Sequence, residues 1–72
     1  MNWIPVSERL PRPNLEVLVT CVPENKVVTK YVMTAYYDGV TGWSDTECVP
    51  LDCYNDVPMV IAWMPLPEPF NA

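Results

Sequence analysis

The chain has no histidine, only two glycines and only four cationic side chains among its 72 residues. The lack of histidine removes the side chain that ordinarily shuttles protons at neutral pH. A tetrahedral zinc site would have to be built from the three thiols Cys21, Cys48 and Cys53 plus a carboxylate or a second chain. With so few glycines there is no glycine-rich phosphate loop and no Gly-x-Ser-x-Gly elbow. The residues therefore point away from an enzyme and from any cofactor or metal. A thiol-dependent reaction at Cys48 or Cys53 is the weaker alternative. Four Lys and Arg against nine Asp and Glu give a net charge of -5, which opposes attraction to the phosphates of a nucleic-acid polymer. The apolar runs are short and broken by proline, so none is expected to cross a membrane. The N-terminus lacks the basic and continuous apolar regions of an export signal. The expected setting is the cytoplasm, with an odd number of cysteines kept as thiols rather than as a disulfide framework.

What remains is apolar and stiff. Half of the residues are hydrophobic, 18% are charged and nine are proline. A chain this short buries roughly 60% of its unfolded surface, so its own core is marginal. Too hydrophobic for disorder and too lightly charged to hide every apolar side chain, it reads as one folded domain over residues 1–72 that forms a homo-oligomer.

Along the chain, Ser7-Glu8-Arg9-Leu10 is long enough for one helical turn capped by Ser7 and stopped by Pro11. Pro11-Arg12-Pro13-Asn14 is a rigid connector. Residues 16–22 are β-branched and short, as a strand requires. Residues 22–25 fit a type I turn with Pro23 in second position, and residues 26–37 return as a strand. Read with period two, that strand puts Val27, Thr29, Tyr31, Met33, Ala35 and Tyr37 on a core face, and Lys26, Val28, Lys30, Val32, Thr34 and Tyr36 on the other. Asp38-Gly39 signals a hairpin and Gly42-Trp43 opens a short strand.

Residues 44–56 lose periodicity and carry Asp45, Glu47, Asp52 and Asp56, without the alternation of a calcium loop. Residues 57–64 form a last strand. Alternation puts Val57, Met59, Ile61 and Trp63 on one face and Val60, Ala62 and Met64 on the other, so the strand should be central or interfacial. Pro58 belongs at its start or at an edge. The expected fold is mainly β, a single small domain of about four antiparallel strands with little helix. The alternative is an α+β domain with one short helix.

Trp3, Trp43 and Trp63, with Leu66, are the expected core of so small a domain. The candidate ligand-binding residues are Arg9, Arg12, Lys26 and Lys30, the only cationic side chains, together with Tyr36 and Tyr54. These could hold the phosphate and base of a small anionic ligand such as a nucleotide.

The segments Trp3-Ile4-x-Val6-x-x-Arg9-Leu10-Pro11, Val17-Leu18-Val19, Gly42-Trp43 and Trp63-Met64-Pro65-Leu66-Pro67-Glu68-Pro69 resemble those of the domain of unknown function 551 family, small proteins of bacteriophages and prophages. Many relatives carry a histidine before the Trp-Met-Pro-Leu-Pro segment. Here that position is Ala62, so no role of such a histidine carries over. The resemblance implies a phage-associated setting and a domain with both termini packed down, and it assigns no activity. The reading that follows is a non-enzymatic accessory protein, an oligomeric inhibitor or sequestering protein acting on host machinery or defence, with a host protein or a nucleotide signal as partner. The alternative is a structural or interaction protein whose residues 65–69, extended by proline, dock on a larger assembly.

Overall fold

Alternating small apolar residues build the centre of the molecule. The computed structural model describes residues 2–23, 29–40, 42–54 and 57–69. Its strands are β1 (Ile4–Pro5), β2 (Val17–Pro23), β3 (Tyr31–Tyr37), β4 (Trp43–Asp45) and β5 (Pro58–Pro65), with one 3-10 turn at Leu51–Cys53. All are joined in a single antiparallel sheet of order β1-β5-β2-β3-β4. The fold is mainly β, with five strands rather than about four, and no α-helix occurs among the described residues. The extra strand is β1, two residues too short to show alternation.

In β2, Val17, Val19, Cys21 and Pro23 are buried while Leu18, Thr20 and Val22 are half-buried. The buried set faces the core. One row of it crosses four strands, with Ile4 opposite Trp63, Trp63 opposite Val19 and Val19 opposite Met33. A second row sets Val60 and Tyr31 on either side of Cys21. Leu51 closes over this face from the 3-10 turn, with Val6, Trp43 and Tyr54 at its margin. Each fully buried side chain of valine or leucine size contributes about 1.5–3 kcal/mol.

β5 is central, as its two apolar faces require, and Pro58 sits at its first position, where the missing N–H is harmless. Its faces, however, do not follow simple alternation. Thr20 lies opposite Ala62 and Cys21 opposite Val60, so β5 advances two residues for one of β2 and Ile61 is an inserted bulge residue. The bulge exchanges the faces. Pro58 and Val60 before it and Trp63 after it share the core side, while Met59 before it and Ala62 and Met64 after it share the other. The expected grouping of Met59 and Ile61 with Trp63 is thereby corrected.

The two ends of the chain meet at this strand. The Ile61 carbonyl accepts the Val6 N–H at 3.0 Å, and the Arg9 carbonyl accepts the Trp63 indole N–H at 2.9 Å. Residues 6–9 turn on the Pro5 carbonyl, which accepts Glu8 N–H at 2.9 Å. Trp63 is only 6% exposed. Two expected core residues are not in the core: Trp3 and Leu66 are each 40% exposed. Ile4, next to Trp3, packs against the core, and alternation carries Trp3 away from it. Leu66 follows the last residue of β5, and residues 65–69 are all exposed.

The expected β3 faces hold for Tyr31, Met33 and Ala35, which pack on or within the core, but β3 begins at Tyr31 rather than at residue 26. Lys26, Val27, Val28 and the second half of the expected turn at 22–25 lie outside the described residues, while its first half, Val22 and Pro23, belongs to β2. The Asp38-Gly39 hairpin is present. Asp38 Oδ1 accepts the Val40 and Gly42 N–H groups at 2.8 and 3.1 Å, and Gly39 and Gly42 take φ of 79° and 94°, which suit glycine.

Candidate functional site

The 44–54 segment is organised by one carboxylate. Asp45 accepts hydrogen bonds from the Glu47 and Val49 N–H groups at 2.9 and 3.0 Å and from the Tyr54 hydroxyl. The Asp45 N–H donates to the Val49 carbonyl and the Asp45 carbonyl accepts from the Cys48 N–H, both at 3.0 Å. This winding puts Cys48 at φ 66°, a left-handed conformation uncommon outside glycine. The loop then crosses to bury Leu51 in the core.

Donation from Tyr54, followed by the two backbone N–H groups, holds the Asp45 carboxyl below its ordinary range. The same bond to Asp45 pushes the Tyr54 phenol up to about 12. A carboxyl lowered by folding stabilises the fold above its unfolded value and stops doing so as pH falls through its folded value. A phenol raised by folding acts in the opposite sense. Its contribution is complete below the unfolded value near 10 and disappears as pH rises through about 12. Melting temperature should therefore fall at both extremes. A Tyr54→Phe variant should show a smaller loss than the parent both below pH 4 and above pH 10, measured by circular dichroism; parallel curves for the two proteins would refute the assignment.

Tyr36 lies on the opposite side of the sheet. Its position pairs with Ser44 across β3 and β4, and its hydroxyl lies within hydrogen-bonding reach of the Cys48 sulfur and the Ser44 hydroxyl. The bond to Cys48 raises the phenol, so Tyr36 serves here as a neutral hydrogen-bonding group. The third thiol is a core group: burial pushes Cys21 up to about 11, against a hydrogen bond from Tyr31. Cys48 and Cys53 are exposed and Cys21 is buried, which fixes an order of reactivity. Iodoacetamide at pH 8 should label two thiols per chain in minutes and the third only after denaturant is added, as counted by mass spectrometry.

The sequence-derived ligand residues are scattered. Arg9 holds its guanidinium over the Trp63 ring at 6.0 Å from the centroid, on the β5 side of the sheet. Tyr36 is on β3, with β2 between them. Tyr54 packs against the core, so the two tyrosines belong to opposite faces. Arg12 is exposed on the connector and Lys30 is exposed before β3; Lys26 lies outside the described residues. Within one copy the described members of the set do not converge. Among the described residues no group of three His, Cys, Asp or Glu is placed to hold a metal ion.

The other feature at the surface is the second face of the sheet, of which the sequence showed the β3 part, the side of Val32, Thr34 and Tyr36. Leu18, Thr20 and Val22 of β2, Val32 and Thr34 of β3, and Met59 and Ala62 of β5 lie on the side away from the core cluster, and Met64 shares that side but is buried, only 6% exposed. None is charged. Met59 is 66% and Val32 54% exposed, and no strand or helix among the described residues lies over them. Leu-Thr-Val in β2 and Val-Thr in β3 were the signal, since a solvated face would ordinarily carry charged residues at such positions.

Among the described residues no helix is long and apolar enough to cross a membrane. No curated protein and no solved structure matches the chain. Residues 2–71 match the model of the family described as protein of unknown function (DUF551), and the chain belongs to that family.

Proposed function

We propose that this protein is a non-enzymatic binding module that acts by contact through the uncharged face of its sheet. In the phage-associated setting that the family resemblance implies, such a module serves as an inhibitor or sequestering protein for a host protein. The observation that carries this reading is the exposure of Met59 and Val32 in a face whose strand residues carry no charge. Contiguous apolar surface on a small protein marks contact with another macromolecule. Methionine adapts to varied partners, and depletion of charge is the compositional mark of an interface centre. A nucleotide is the less favoured partner, because Arg9 is engaged with Trp63 and the aromatic candidates occupy opposite faces.

The test is site-specific photocrosslinking in the cells that carry the protein. A benzophenone side chain at Met59 should yield an adduct with another protein, and the same group at Val40, a 90% exposed loop residue, should not. Equal adducts from both positions, or none from Met59, would overturn the reading.

A further inference from the structure

Taking the contact role of this face as given, we infer that its resting occupant is a second copy of the chain, packed face to face with the strands of the two copies antiparallel. Each copy carries a net charge of -5, so two copies repel over most of their surfaces. The face spanning β5, β2 and β3 is where they can approach without juxtaposing like charges.

Its two ends carry opposite signs. Glu16 immediately precedes β2 and, by continued alternation, lies on the side of Leu18. Lys30 immediately precedes β3 and lies on the side of Val32. Both are exposed. Because β2 and β3 are antiparallel, Glu16 and Lys30 stand at opposite ends of the face. A two-fold axis in the plane of the sheet and perpendicular to the strands brings the Lys30 end of one copy over the Glu16 end of the other, twice by symmetry. An axis parallel to the strands would set Glu16 near Glu16 and Lys30 near Lys30. The charges select the first arrangement, and aligned sheet packing accommodates it at about 30° between strand directions.

Area sets the strength. Three strands about 4.8 Å apart and about 20 Å long outline a face of about 290 Å². Two copies then bury about 600 Å², below the usual range of specific, stable interfaces. The pair is a weak, exchanging dimer rather than an obligate one, so the face stays available for exchange with a target.

Sedimentation equilibrium of the purified full chain across 5 µM to 1 mM reads this directly. The average mass should climb from 8.2 kDa toward twice that value. Val32→Glu/Met59→Glu replaces two exposed side chains, so it should keep the parent's circular dichroism spectrum and remain at monomer mass throughout. Lys30→Glu alone should weaken association at least fivefold, and Glu16→Lys/Lys30→Glu should restore it. A parent chain that stays at monomer mass to 1 mM overturns the inference, as does a folded Val32→Glu/Met59→Glu variant that still dimerises or a charge swap that fails to rescue. A monomeric parent that still crosslinks a foreign protein through position 59 ends self-association and leaves the contact role standing. A dimer with no foreign adduct in cells ends the contact role alone.

Discussion

Trp63→Ala should leave the chain largely unfolded at 25 °C. Removing a buried indole costs about 3–5 kcal/mol. The loss also leaves the Arg9 carbonyl without the indole N–H it accepts, at about 1 kcal/mol more. A domain of this size has a total stability of about 3–5 kcal/mol from its core, so nothing is left over. The side chain is also a tie, since Ile4 pairs with Trp63 across β1 and β5 and the turn at residues 6–9 closes on its ring. Trp63→Phe separates the two contributions. It keeps most of the apolar ring and deletes the donor, and should lower the melting temperature by about 4–8 °C for each kcal/mol lost. Circular dichroism melts of the three proteins decide the matter. An alanine variant that melts within a few degrees of the parent would show that the N-terminal segment holds to the sheet without Trp63.

Leu51→Ala should cost about 2–5 kcal/mol, although Leu51 stands in the least regular part of the chain. Only 3% exposed, it is the core residue contributed by the segment between β4 and β5. Its truncation opens a cavity in the core cluster and releases the loop that places Cys48 near Tyr36. Two readings should move together: a lowered denaturant midpoint, and faster labelling of Cys21 under native conditions. Val49→Ala, two residues away and more exposed, should change stability by no more than about 0.5 kcal/mol. Equal effects from the two substitutions would contradict the role of Leu51 as an anchor.

The strand pair β2 and β3 was legible because both elements alternate and each has one side wholly suited to burial, and the Asp38-Gly39 hairpin because glycine marks its turn. Other parts were hidden for identifiable reasons. β1 spans two residues, below the length at which period two can be seen. The bulge at Ile61 breaks the period inside a strand that is apolar on both faces, so the sequence offers no phase to detect the slip. Leu51 lies between proline and aspartate, where nothing periodic announces burial. Among the tryptophans, hydrophobicity could not rank Trp3 against Trp63, because the choice depends on which residue faces the row of Ile4, Val19 and Met33. The Asp45 network was equally out of reach. Four carboxylates in a loop look alike until one is seen to bind its own backbone, and a cysteine at positive φ carries no sequence mark. The uncharged face was present in the alternation of β2 and β3, but its β5 part, Met59, Ala62 and Met64, depends on the phase change at the bulge.

The position of β5 also bears on biosynthesis. β5, the interior strand that joins β1 to β2, is the last of the described strands in sequence, and its edge partner β1 is the first. While β2, β3 and β4 emerge from the ribosome, the side of β2 that β5 will occupy has no strand to pair with, and Ile4 and Val6 have nothing to close upon. Folding waits for the residues around Trp63, relies on contacts distant in sequence and is correspondingly slow for so small a protein. A chain that stops before Trp63 lacks the strand that joins β1 to β2, so it should not form the sheet.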